Sequence, residues 1–240
     1  MINLALSIFA ASIVFFLVSI PLGVGGAIVP AIIALIAGHV LLGRRISRRV
    51  DAVMREIEKH VMAGRVDRGI ALLESLRPLG RWQFLLGAVI DSQVGVLRYA
   101  HKQDPEGARP YLERALVKHP LAQAMLGAYH YRRKQYDDVV RVLERATKKN
   151  KKTSLLWSMY AWCEWKQGRR QKAIEILVRA RRHLPNDAQV QRNLLALSNS
   201  EKMKMKAYGA EWWVLGLEKP PVQKIAPRHQ RHPAWSRAPG

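Results

Sequence analysis

Residues 1–43 of the chain contain no aspartate, glutamate, lysine or arginine. A helix needs roughly 20 apolar residues to cross a hydrocarbon core about 30 Å thick, so this stretch is too long for one span and suits two. Its apolarity extends all round the helix, which disfavours a soluble core helix. A secretory signal peptide is the alternative, but Met1–Asn3 carries no positive side chain and the apolar run exceeds a normal signal core.

Glycine and proline interrupt the apolar stretch at Pro21–Gly26. Because these residues punctuate helices, the sequence predicts helices over 3–20 and 24–42, joined as a transmembrane hairpin. Small residues let membrane helices approach closely. Those expected at this contact are Gly23, Gly25, Gly26, Ala27 and Ala31.

A cluster of arginines follows the second apolar helix, at Arg44, Arg45, Arg48 and Arg49. Basic residues beside a span stay on the cytoplasmic side, so both ends of the chain are expected in the cytoplasm. The same side chains are placed to contact anionic lipid headgroups. A plain stop-transfer signal is the alternative interpretation.

Acidic residues and cysteine are scarce. The 18 acidic residues stand against 40 lysines and arginines, giving a net charge of +22, and Cys163 is the one cysteine. A single thiol excludes an intramolecular disulfide and a multi-cysteine metal site, and inside a predicted helix it is expected to be buried and inert. The sequence carries no recognisable catalytic motif. We therefore predict a non-enzymatic protein without metal or cofactor.

Apolar residues recur at helical spacing from Ser47 onward, without strand-like alternation. The clearest unit begins at Ser154, and its equivalent residues precede it by one period, since Ala146 and Ala180 lie 34 residues apart. The positions that carry the pattern are Gly127, Leu143, Ala146, Trp157, Ala161, Gly168, Ala173, Leu177, Ala180 and Pro185. This pattern resembles the tetratricopeptide repeat (TPR) family.

The resemblance implies an all-α fold, with the transmembrane hairpin followed by a TPR-like α-solenoid. The expected divisions are 1–43 for the hairpin, 44–80 for a basic degenerate helical pair, 81–202 for the repeats with a capping helix over 188–202, and 203–240 for a basic, proline-containing tail. Trp157 matches a structural position of the family and is expected in the core. Terminal repeats are atypical because one face meets solvent.

In TPR proteins the first helices of the repeats line a concave groove, and the resemblance places an aromatic and basic wall there. The inner positions expected to be exposed are Gln93, Leu97, His101, Ala124, Ala128, Tyr131, Arg132, Ser158, Trp162, Trp165, Lys166, Arg192 and Asn199. Tyr131, Arg132, Trp162, Trp165 and Lys166 form the candidate protein-binding set, because aromatic residues and arginine are frequent anchors. A core position is the equal alternative for Trp162 and Trp165.

The tail divides into two parts. Residues 220–240 contain prolines and basic residues that predict disorder. Residues 208–215 are too apolar for a free linker and too short to span a membrane. We expect them to pack on the solenoid, with the membrane interface or a partner as alternatives.

The layout of two spans followed by repeats is similar to membrane-anchored bacterial TPR proteins. It implies an adaptor in the bacterial cytoplasmic membrane, multi-pass, with a cytoplasmic solenoid. Its expected partners are a protein, acidic or a subunit of a membrane complex, and anionic lipids. The alternatives are a charge-driven binder of nucleic acid or anionic lipid, of which nucleic acid is the less expected, and an accessory subunit of a membrane enzyme.

Overall fold

The computed structural model describes residues 2–81 and 85–220, which form helices and turns without a strand among them. The α-helices are α1 (Ile2–Met62), α2 (Val66–Ser75), α3 (Leu86–Ala100), α4 (Pro105–Arg114), α5 (Pro120–Arg132), α6 (Tyr136–Lys149), α7 (Ser154–Lys166), α8 (Arg170–His183), α9 (Ala188–Ser198) and α10 (Ala210–Trp213). Short 3-10 helices occupy Arg77–Arg81 and Met205–Tyr208. The predicted disorder of the last residues, 221–240, falls outside the described part of the chain.

Helix α1 is long and apolar enough to cross a membrane. Its large apolar side chains point outward, with Phe16 69% and Ile20 83% exposed. A core helix of a soluble protein buries such side chains, so this exposure disfavours that interpretation. A signal sequence near the N-terminus would meet the same criteria of length and composition.

Gly23 interrupts α1 within the predicted break. Its φ of 73° and ψ of 171° lie outside the helical region, and glycine adopts this conformation without steric cost. Residues on the two sides of Gly23 approach each other, since a Cβ atom on Gly38 would lie 3.6 Å from the Ser7 hydroxyl oxygen. The close contacts predicted at Gly23 and Gly25 are wrong, because the space that a Cβ atom would occupy at either residue is open.

The second half of α1 continues past the apolar stretch. We expected that helix to end near Leu42, but it runs on to Met62. Its last turns pack on α2 and α3, where Ile57, Leu73 and Leu97 are buried in one cluster. Arginine and lysine propagate helices well, so the change from apolar to basic side chains does not end the helix. One helix therefore belongs to both the apolar segment and the solenoid.

Helices α3 to α8 pack as three consecutive hairpins, with α9 following the third. Most of the positions that carry the repeat pattern are buried between the packed helices. Leu143, Ala146, Ala161, Ala173, Leu177 and Ala180 have no exposed surface, and Trp157 is 2% exposed. Gly127 lets α5 approach α6, because a Cβ atom there would lie 2.9 Å from Leu143 Cδ2.

Turns and caps set the ends of the later helices. Gly168 separates α7 from α8 with a φ of 80°, and Pro185 follows the end of α8. The Asp187 side chain caps α9 by accepting hydrogen bonds from the backbone N–H groups of Gln189 and Val190. Helix α9 ends at Ser198 rather than at residue 202, because Ser200 adopts a φ of 63° that no helix continues through.

Candidate protein-binding groove

Helices α3, α5, α7 and α9 share one face of the solenoid, here called the groove. They are the first helices of their hairpins, and α5 contacts α3 and α7 while α9 contacts α7. Each sends side chains onto this face: Tyr99 from α3, Arg132 from α5, Trp162 from α7 and Asn193 from α9. The groove thus draws on four helices separated by whole hairpins.

The chain itself fills the groove. After α9 it turns back, and residues 203–218, here called the C-terminal segment, lie across the four helices. Met205, Trp212 and Leu215 are 1%, 0% and 0% exposed. The prediction that residues 208–215 pack on the solenoid is confirmed by this burial, and the reason is their apolar content.

A pair of tryptophans forms the centre of this contact. The indole rings of Trp162 and Trp212 meet edge to face, with centroids 5.1 Å apart and planes at 74°. Their two Nε1–H groups donate to the two carboxylate oxygens of Glu218, at 3.3 and 3.0 Å. One carboxylate therefore satisfies both buried indole donors, which would otherwise carry a desolvation penalty.

Hydroxyl and amide groups hold the rest of the segment. The Tyr208 hydroxyl oxygen lies 2.7 Å from the hydroxyl oxygens of both Ser154 and Ser158. The Tyr99 hydroxyl donates to the Leu215 carbonyl oxygen at 2.9 Å. The Lys204 N–H donates to the Asn193 side-chain oxygen at 2.7 Å. The polar atoms of the groove are thus paired with the segment as they would be with a bound peptide.

Burial raises the pKa values of the groove's phenols, which are protonated at neutral pH even when free. It raises the pKa of Tyr208, and it raises the pKa of Tyr99, where Arg132 partly opposes the shift. Burial also raises the pKa of Tyr131 to about 12. At neutral pH these hydroxyls are uncharged and able to donate hydrogen bonds. The groove is equipped for non-covalent recognition.

The candidate binding residues lie together but are not equally accessible. Tyr131 is half-buried, with its ring centroid 5.2 Å from that of Trp162. Arg132 is exposed and lines a cavity of about 370 Å³ beside Trp213. Trp165 is half-buried, and Lys166 is exposed with its Nζ atom 4.9 Å from the Trp165 ring centroid.

Several inner positions that we expected to be exposed are buried. They are Leu97, Ala124, Ala128 and Ser158; Trp162, for which a core position was the equal alternative, is buried as well. Trp162 and Ser158 are covered by the C-terminal segment, a long-range contact that local spacing does not reveal. The sequence analysis also missed Tyr99 and Glu218, which bind across the groove. Glu218 carried a weak signal as an acidic residue just after an apolar segment in a basic tail.

Among the described residues, the reactive groups outside the groove do not form a site. Cys163 is fully buried in α7, and burial raises the pKa of its thiol, so its nucleophilic thiolate is suppressed. Among the residues that the structure describes, no group of three or more histidine, cysteine or acidic side chains could hold a metal ion.

The arginines after the apolar stretch lie along α1. The side chains of Arg44, Arg45 and Arg48 are exposed, and that of Arg49 is outside the described residues. An exposed guanidinium near a bilayer surface is able to contact anionic headgroups.

Comparison with known proteins identifies one family in this part of the chain. The tetratricopeptide repeat family model matches residues 130–197, from the end of α5 to the end of α9. No curated protein matches the chain. The matched stretch contains α6 to α8 complete, together with the Trp162 that underlies the C-terminal segment.

Proposed function

We propose that the chain is an adaptor that holds a partner protein at a membrane surface, because the tetratricopeptide repeat model matches residues 130–197. Repeats of this family bind proteins through grooves of this kind. The observation that carries the proposal is the continuity of α1, which joins the apolar N-terminal segment to the solenoid without a flexible linker. From Leu42 to Met62 a helix extends about 30 Å at 1.5 Å per residue. A partner in the groove would therefore be kept close to the bilayer.

For the membrane segment we propose a hairpin of two spans that turns at Gly23. Its support is the non-helical backbone there and the contact between Ser7 and Gly38. The arginine cluster supports the proposal that the solenoid lies in the cytoplasm of a bacterial cell, because basic residues beside a span stay on that side. A reporter fused after Gly240 should be active only in the cytoplasm, and neutral residues in place of the four arginines should weaken that bias. A reporter active only outside the cytoplasm would contradict this topology.

For the groove we propose Tyr131, Arg132, Trp165 and Lys166 as the accessible contacts of the partner, around the buried Trp162. The test is co-purification in mild detergent, comparing the wild-type chain with Tyr131→Ala/Trp165→Ala. Leu195→Ala is the matched control, since Leu195 is 62% exposed on α9 and lines a separate cavity with Val178 and Arg181 of α8. We expect the double variant to retain its partner several-fold less, because truncated anchors typically cost about 2 kcal/mol or more. Equal retention by a folded double variant would remove this surface from the proposal.

A second function, binding to an anionic surface, is favoured by the last turn of α6 and the loop that follows it. Lys148, Lys149, Lys151 and Lys152 are all exposed there. If this charge bound nucleic acid, affinity would fall steeply with salt and exceed that of a scrambled basic control. We favour anionic lipid, because a membrane tether brings the charge to it. If the co-purified partner is a membrane enzyme, the chain is an accessory subunit of that complex.

A further inference from the structure

The C-terminal segment is bound to the groove as a ligand would be. The groove supplies donors, the Trp162 indole N–H and the Tyr99 hydroxyl, and the segment supplies acceptors, the Glu218 carboxylate and the Leu215 carbonyl. Arg132 and Lys166 add positive charge at the exposed edge. These donors and positive charges favour a segment that places a carboxylate and a free carbonyl oxygen at the matching positions.

The segment is also built differently from the hairpins beneath it. Its regular structure is limited to four residues at Met205–Tyr208 and four at Ala210–Trp213. Gly209 and Gly216 have φ values of 57° and 65°, so it bends where a helix would not. It follows α9 after four residues of turn and loop, and it packs on that helix and on three earlier ones. It is therefore an extended strip laid over hairpins that pack on one another without it.

We propose that the C-terminal segment is an exchangeable internal ligand, and that the partner binds by presenting the same chemistry and displacing it. This rests on the proposed adaptor function and names its ligand class. The ligand is a peptide segment with an aromatic side chain, an aliphatic side chain three residues later and a carboxylate six residues later. These positions correspond to Trp212, Leu215 and Glu218.

Tethering determines how strongly the C-terminal segment competes with an added ligand for the groove. A segment joined by a short linker competes at an effective concentration in the millimolar range. A separate ligand binds only those molecules whose C-terminal segment has left the groove. Its apparent affinity is therefore reduced in proportion to the fraction of such molecules. Weakening the internal contact should therefore strengthen binding of an added peptide.

The test uses a fluorescein-labelled peptide of residues 203–220 and the full chain in mild detergent, followed by fluorescence anisotropy. Glu218→Ala removes the acceptor of both indole donors, and Trp212→Ala removes the central ring. Glu211→Ala is the matched control, because Glu211 is an exposed glutamate of the same segment. We expect Glu218→Ala to bind the peptide at least about tenfold more tightly than the wild-type chain or Glu211→Ala. A peptide that lacks the tryptophan equivalent to Trp212 should bind none of them.

If Glu218→Ala and Trp212→Ala are both folded and bind the peptide no better than the wild type, the segment is a permanent part of the core and the inference is wrong. If Trp212→Ala does not fold, the peptide affinity of Glu218→Ala alone decides whether the segment exchanges. Partner retention in detergent is a separate measurement. If the peptide exchanges but no partner is retained, the adaptor function is wrong and the exchangeable segment stands. If a partner is retained but the peptide does not exchange, the exchangeable segment is wrong and the adaptor function stands.

Discussion

Replacement of Gly95 by alanine tests how closely the first complete hairpin is packed. Gly95 is buried in α3 against α4, and a Cβ atom there would lie 2.7 Å from Leu112 Cδ2, 3.0 Å from its Cγ and 3.2 Å from its backbone nitrogen. The side chain of Leu112 is fully buried and its backbone belongs to α4. The two helices must therefore separate to admit one methyl group.

The expected effect is the difference of two opposing terms. Overpacking a core costs about 1–3 kcal/mol, and alanine gains about 1 kcal/mol over glycine in a helix interior. Gly95→Ala should therefore lower the free energy of unfolding by up to about 2 kcal/mol. The change in unfolding free energy caused by Gly127→Ala should be closer to zero. The atoms near its Cβ position belong to side chains only, and one is the flexible end of Met159.

Urea unfolding of the full chain in mild detergent, followed by circular dichroism at 222 nm, measures these differences. Gly87→Ala is the control in the same helix, since no described atom lies within 4 Å of its Cβ position. We expect Gly87→Ala to be the most stable variant, Gly127→Ala to be less stable and Gly95→Ala to be the least stable. A Gly95→Ala chain as stable as Gly87→Ala would refute the close approach of α3 and α4.

Three further measurements test separate parts of the fold. Asp187→Ala removes the cap of α9 and should cost about 1 kcal/mol in thermal unfolding; an unchanged melting temperature would contradict the cap. Cys163 should resist maleimide in the native chain and react once urea unfolds it, because its thiol is buried and its pKa raised; rapid native labelling would show that α7 is accessible. The hydrogen bond from Arg179 lowers the pKa of Glu144 below its ordinary 4.5, so their pairing stabilises the fold above that pH and is lost as pH falls through the lowered value. The stability difference between wild type and Glu144→Gln should shrink in that acidic range, and a constant difference would argue against the pairing.

The sequence predicted those features that depend on local pattern. The spacing of Ala146 and Ala180 follows from a repeated hairpin, and both residues are buried. The break at Gly23 follows from the conformational freedom of glycine. Packing of residues 208–215 follows from their apolar content, since a free linker of that composition would leave large side chains in water.

Features that depend on distant contacts were not predictable from one sequence. Trp162 has the spacing of an exposed groove residue, but its exposure is set by Trp212, fifty residues later. The pairing of Glu218 with two indoles depends on the path of the chain after Ser200. The continuity of α1 was missed because a change in side-chain polarity marks a membrane boundary without ending a helix.

Site-specific photo-crosslinking in intact cells tests the adaptor function most directly. A photoreactive amino acid in place of Lys166 lies at the exposed edge of the groove, and the same residue in place of Leu195 is the control on α9. The proposed function predicts a protein adduct in the membrane fraction from position 166 that is absent from position 195. It also predicts that an excess of the peptide of residues 203–220, added to permeabilised cells, reduces this adduct. Adducts formed with nucleic acid alone, or the same protein adducts from both positions, would contradict a protein-binding groove.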